Sequence, residues 1–233
     1  MTEIVCEISG NHGGSLDNAL RLILDANEAG ADAVKFQCFD PERLAARRAE
    51  RADVLALAGG VPLVRLYRRT HTPRWWFPKM ISHAETYGLK WFSSVFDPDD
   101  VAFLETLGCP RYKISAFEML DWDIIKAVRE TGKPIVMSVR PMPGVTILQA
   151  TDYNGNLVPL GLSAHGDIDP EPHCPMVEYH LKLDDVETPD SAFSLTAKEL
   201  RGMVAMTMHR NRRAEAYAAF GIKNESETKR QQE

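Results

Sequence analysis

Residues Glu3–Gln37 read EIVCEISGNHGGSLDNALRLILDANEAGADAVKFQ, and the fold is decided there. Glu3–Ile8 is a short apolar run suited to a strand, and the loop SGNHGG follows it. Ser15 then caps a helix to about Ala29, in which Leu20, Ile23, Leu24 and Asn27 recur at three- and four-residue spacing. Gly30 stops the helix, and Ala33–Gln37 opens a second strand. A strand–helix–strand unit with strands apolar on both faces predicts a parallel sheet.

Downstream the alternation continues after an insertion from Cys38 to about Thr72. A helix around Arg74–Tyr87 leads to a strand at Lys90–Ser94, a helix at Pro98–Leu107, a strand at Tyr112–Ser115 and a helix at Trp122–Thr131. Four more strand-like runs follow, Pro134–Val139, Val145–Ala150, Val158–Ser163 and Met176–Leu181, joined by short segments rich in Pro, Gly, Asn and Asp. A last helix runs from Thr196 to about Phe220, before a polar tail, Lys223–Glu233.

Eight strands predict an α/β fold, a reduced (β/α)8 TIM-type barrel over 1–222 with the helices after strands five to seven shortened or missing. Only Arg140–Gly144 separates the fifth strand from the sixth. Five extended residues reach about 17 Å, barely a strand's return. An outer wall without helices there needs other cover, so a homodimer or higher homo-oligomer is expected.

The 233 residues carry a net charge of −6, with 44% hydrophobic and 26% charged residues. That excludes a disordered or collagen-like chain and argues against nucleic acid as the partner. No apolar run reaches the ~18–20 residues of a membrane span, and Glu3 and Glu7 stand where a signal peptide would be basic, so a cytoplasmic protein is expected. Cys6, Cys38, Cys109 and Cys174 are scattered and read as reduced core thiols.

In such a barrel the chemistry gathers at the C-terminal ends of the strands. Glu7 lies at the end of the first strand with Asn11 and His12 after it, Lys35 and Gln37 lie in the second, and Ser94 ends the third. Lys113, Ser115 and Glu118 belong to the fourth, Ser138 to the fifth, Ser163 and His165 to the seventh, and Glu178 and His180 to the eighth, with Asp190 beyond. Lysines inside apolar strands are costly to bury without an anion, so Lys35 and Lys113 either pair with structural carboxylates or, with the serines, form a phosphate or carboxylate cage. The cage is the favoured reading. His165 and His180, on neighbouring strands, can share a divalent metal, with Glu7, Glu118, Glu178 or Asp190 ligating directly or through water. His12 is equally a substrate contact or a loop residue. The arginines of the insertion, Arg43, Arg47, Arg48, Arg51, Arg65, Arg68, Arg69 and Arg74, form either a solvated face balanced by acids or a lid over an anionic substrate.

The string CEISGNHGGSLDNALRLILDANEAGADAVKFQCF resembles the opening of the sialic acid synthase family, and FSSVFDPDDVAFLETLGCPRYKIS, TGKPIVMS, GLSAH and EYHLKLDDVETPDSAFSLTAKEL continue the resemblance in order. The resemblance implies a barrel that condenses phosphoenolpyruvate with the open-chain aldehyde of a sugar, releasing phosphate and leaving a 2-keto acid. It implies manganese or magnesium on His165 and His180. It implies phosphoenolpyruvate held by Lys35, Gln37, Ser94, Lys113, Ser138 and Ser163, and acids Glu7, Glu118 and Asp190 near the metal and the reacting carbons. Ser115 and Asn11 are added as substrate contacts.

The departures are specific. The family's Ser-Asp-His reads Ser163-Ala164-His165, its serine after the fourth strand becomes Ala116 beside Ser115, and its Ser-Thr-Gly turn reads Ser138-Val139-Arg140, which puts a new charge, Arg140, at the mouth. The matches end without the family's C-terminal antifreeze-like domain, which argues for an acceptor other than N-acetylmannosamine. Other metal-dependent lyase or phosphate-ester chemistry, or a barrel that only binds a phosphorylated metabolite, are the alternatives.

Overall fold

The structure, a computed structural model, describes residues 2–142, 145–151, 157–168, 170 and 174–219. The polar tail and His173 lie outside the described residues, as does the side chain of Arg140. Eight strands close into one barrel in sequence order: β1 (Glu3–Glu7), β2 (Ala33–Cys38), β3 (Lys90–Val95), β4 (Tyr112–Ile114), β5 (Ile135–Met142), β6 (Val145–Thr151), β7 (Leu157–Ala164) and β8 (Met176–His180). The helices are α1 (Leu16–Ala29), α2 (Pro41–Arg47), α3 (Ala52–Leu57), α4 (Leu63–Thr70), α5 (Phe77–Thr86), α6 (Pro98–Glu105), α7 (Trp122–Glu130) and α8 (Ala197–Ala219).

Local chemistry sets these boundaries. Ser15 accepts from the Asn18 amide and Gly30, at φ +89°, ends α1 in the left-handed region that glycine adopts freely. Asp40, Asp97 and Asp121 cap α2, α6 and α7. Thr196 and Glu199 form a reciprocal capping box at the start of α8.

β1 to β5 run parallel, as do β7, β8 and β1. The sixth strand departs from the parallel expectation. β6 is antiparallel to both neighbours, with Met142 paired opposite Val145. An antiparallel pair can be joined by two residues, whereas a parallel return needs a crossover, so the reversal removes the reach problem. Among the described residues no helix lies between β5 and β8, as the sequence leads one to expect. No described helix is long and apolar enough to cross a membrane.

Inside the barrel the side chains form layers. At the base, Arg111 makes two bonds to Glu3, at 2.8 and 3.0 Å, and its guanidinium lies 3.9 Å over the Phe92 ring. Val5, Ala33, Phe92, Val136, Leu148 and Met176 form the apolar layer above. A larger core between barrel and helices includes Phe36, Phe77, Tyr112 and Tyr179, and holds Cys6, Cys38 and Cys109 as free thiols. The insertion, α2 to α4, has a small core of its own in which Leu44, Val54, Leu63 and Tyr67 pack on Phe39 and Phe96.

Candidate active site

Strand register determines which polar side chains meet. Glu7 lies opposite both Lys35 and His180, Ser94 opposite Gln37 and Lys113, and Ser163 opposite Glu178. The pleat turns alternate residues inward, so these groups lie on the level above the apolar layer. Glu7, Lys35, Ser94, Lys113, Ser138, Ser163 and Glu178 are all buried.

Burying two ammonium groups requires compensation, and it is present. The Lys35 Nζ is paired with Glu7, lies 3.3 Å from Glu178 Oε2 and donates to Ser94 Oγ at 3.0 Å. The Lys113 Nζ lies 3.3 and 3.2 Å from the two Glu178 oxygens. Ser163 Oγ donates to Glu178 Oε1 at 2.6 Å. The contacts are those of lysines paired with structural carboxylates: two cations and two anions share one chamber with three serines. Glu178, a candidate metal ligand from sequence, serves the lysines.

The electrostatics are uneven. Burial pushes Glu7 up to about 7, against the pull of Lys35. Glu178 lies well below the usual carboxylate range, because Lys113 and Lys35 outweigh its burial. Lys113 is pulled down to about 8 by burial, opposed by Glu178.

At the mouth His165 follows β7 and His180 ends β8, with ring centroids 5.1 Å apart. Burial lowers both, His180 to about 3, so both imidazoles are neutral and can act as ligands. His180 Nδ1 is buried without a hydrogen-bond partner. A buried unpaired nitrogen beside a second neutral imidazole suits the divalent metal implied by the resemblance. Among the described residues no group of three or more His, Cys, Asp and Glu side chains could hold a metal, so a cation there would have His165 and His180 as its nearest neutral nitrogen donors. Water and substrate oxygens would fill the rest.

Asp190 reaches this region from the segment after β8. Burial raises its carboxyl, and the Ser9 hydroxyl, donating to Asp190 Oδ2 at 2.6 Å, opposes that rise. The Ser9 amide donates to Glu7 Oε1 at 2.7 Å. Ser9, at φ +48°, is the only non-glycine residue with positive φ among the described residues. One strained residue thus ties two candidate acids from opposite ends of the chain. Sequence reading missed it, since a serine in a glycine-bearing loop carries no distinguishing signal. Phe193, also missed, has its centroid 5.0 Å from each imidazole.

Other expected site residues are engaged elsewhere. Glu118 accepts from Arg48 Nε at 2.8 Å through Oε1 and from Ser115 through Oε2, and Arg48 is flanked by Tyr67, Phe96 and Phe117. Glu118, expected from the resemblance as an acid near the metal, is thus engaged by Arg48 of the insertion and by Ser115. Asn11 donates to Leu181 O at 2.8 Å and Ser194 Oγ at 2.9 Å and accepts from Thr188, so it clamps the first loop to the segment after β8 rather than offering a free contact. His12 is a buried loop residue, bonded to the Gly14 amide at 3.0 Å and edge-on to Trp76. Gln37 is half-buried on β2, two residues beyond Lys35 on the same face.

The insertion's arginines mostly form a solvated face: Arg43 meets Asp97 and Asp99, Arg47 meets Asp97 and Asp121, Arg68 meets Glu42, and Arg74 meets Asp100.

A family model described as the NeuB family matches residues 22–150. The pseudaminic acid synthase of Campylobacter jejuni subsp. jejuni serotype O:2 is 30% identical over 246 residues, covering 86% of this chain and 71% of that protein. The pseudaminic acid synthase of Helicobacter pylori is 29% identical over 250 residues, covering 87% and 72%. Among solved structures, the N-acetylneuraminic acid (sialic acid) synthetase of Leptospira borgpetersenii serovar Hardjo-bovis, in complex with citrate, superposes with a TM-score of 0.71 at 20% identity, covering 91% of this chain and 84% of that one. At that identity the likeness concerns the fold.

Proposed function

The chain belongs to the NeuB family, and from that premise we propose that it condenses phosphoenolpyruvate with the aldehyde of a sugar to give a 2-keto acid and free phosphate. The observation that carries this reading is the buried pair Lys35 and Lys113 on one level with Ser94, Ser138 and Ser163. Two ammonium groups ringed by hydroxyls match a small ligand bearing both a phosphate and a carboxylate.

In the reaction a carbon–carbon bond forms between the enol carbon and the aldehyde carbon, water adds to the cationic carbon left behind, and phosphate departs. Lys35 and Lys113 neutralise the anionic groups. Glu7, its carboxyl raised by burial to about 7, can as the carboxylate take a proton from the attacking water, and Asp190 can orient that water. His165 and His180 would hold a divalent cation, Mn2+ or Mg2+, which when bound supplies polarisation of the aldehyde oxygen. We further propose that it works in the cytoplasm as a homodimer or higher homo-oligomer on small molecules, with neither nucleic acid nor membrane as a partner.

Phosphate release from phosphoenolpyruvate across a panel of aldehyde sugars, with Mn2+, Mg2+ or a chelator, tests the reading. Release requiring both an aldehyde and a divalent cation is expected. Release without aldehyde would indicate phosphate-ester chemistry instead, and tight binding with no release under any condition would indicate a binding barrel.

A further inference from the structure

Histidines that ligate metals are ordinarily oriented by a hydrogen bond from the second ring nitrogen to a carboxylate or carbonyl. No such bond to His165 or His180 is found among the described residues, and His180 Nδ1 is buried without a partner. Something else must hold the two rings in place.

Phe193 packs against both of them. Its ring is inclined 49° to His165 and 81° to His180, at 5.0 Å from each, while the imidazoles are 70° and 5.1 Å apart. The three rings close a triangle, and Phe193 is the only ring besides the imidazoles themselves that contacts either histidine among the described residues. Edge-to-face and tilted contacts at these separations are attractive and directional. Phe193 is itself fixed relative to His180. It ends the 3-10 turn Ser191–Phe193, and two residues later the Leu195 amide donates to His180 O at 2.8 Å while Leu195 O accepts from the Lys182 amide at 2.8 Å.

We propose that Phe193 is a positioning residue that holds the His165 and His180 imidazoles in the arrangement needed to share one divalent cation. The inference rests on the metal reading above and deepens it. The phenyl ring takes the place of the missing hydrogen bonds, and it adds no polar atom that would compete for the cation.

The test is calorimetric titration of the metal-free full chain with Mn2+, with the Co2+ absorption spectrum as a second readout. Wild type, Phe193→Ala, Phe193→Leu and a His180→Ala control are compared after each is shown to be folded by circular dichroism. Phe193→Ala is expected to weaken Mn2+ binding about tenfold or more, within the usual range for residues that orient ligands, and to alter the Co2+ spectrum. Phe193→Leu, which retains much of the volume, should fall between, and decides the matter alone if the alanine variant fails to fold. Unchanged affinity and an unchanged Co2+ spectrum in the variants, with tight binding by wild type, would overturn the role of Phe193 and leave the metal reading standing. Absence of Mn2+ and Co2+ binding by wild type would overturn both.

Discussion

Lys35 and Lys113 share one carboxylate, that of Glu178, whose Oε2 lies 3.3 Å from the first Nζ and 3.2 Å from the second. Glu178 is the common counter-charge of the two ammonium groups, and Ser163 fixes its other oxygen. Its neutral analogue would leave buried positive charge uncompensated. Glu178→Gln is expected to lower the unfolding free energy by about 3–5 kcal/mol, read from urea denaturation. A loss under about 1 kcal/mol would mean that the pair contributes no more than a surface contact does.

Lys113 gives the anion chamber an alkaline limit. Burial, opposed by Glu178, lowers its amine from 10.5 to about 8. Phosphate binding to this site needs the ammonium form, so inorganic phosphate binding, followed by calorimetry, should weaken about tenfold per unit above about pH 8. Stability moves the other way. The unfolded chain keeps this proton up to 10.5, so the Lys113 contribution to the unfolding free energy rises between about 8 and 10.5. Phosphate affinity that stays constant well above pH 8 would remove Lys113 from the site.

Gly161 is required by its surroundings. A Cβ built there would lie 1.9 Å from Met176 O, a backbone atom of the adjoining strand that cannot move without opening the β7–β8 ladder. Gly161→Ala should cost about 3 kcal/mol or more, whereas Gly88→Ala, with no atom within 4 Å of its Cβ, meets only the local cost of its positive φ. Thermal melts of the two variants decide this.

Two arginines of the insertion should behave in opposite ways. Arg48, buried between rings and bonded to Glu118, should lose about 3 kcal/mol on Arg48→Ala, with faster proteolysis between α2 and α4, and Arg48→Lys should not restore it because the guanidinium plane is what packs. Arg43→Ala, at an exposed pair, should change stability by under about 0.5 kcal/mol. Equal effects would refute the division between anchor and solvated face.

Much of this was legible in the chain. The Ser15 and Gly30 signals mark α1, and the lysines in AVKFQ and RYKIS announce the charged chamber, because buried charge is too costly to occur without compensation. The direction of β6 was not legible: alternation in Val145–Ala150 has a period of two whichever way a strand runs, and only the shortness of Arg140–Gly144 hinted at a reversal. The likeness between sequences placed Glu118 among the reacting groups, yet Arg48, from an insertion, engages its carboxylate. Ser9 and Phe193 lie in irregular segments whose positions depend on contacts across the whole chain, so no local spacing could reveal them.

The reversal of β6 divides the molecule's tolerance to change. Seven strands deliver their C-terminal ends to the mouth, while β6 carries the chain back to the base, so Thr151 and Leu157 both stand at the floor beside the Glu3 and Arg111 end. A tag, a fluorescent label or new chain termini joined to Thr151 or Leu157 would therefore start from the underside, at the opposite end of the strands from the mouth, which gives a way of tethering the protein to a surface with its opening facing solution.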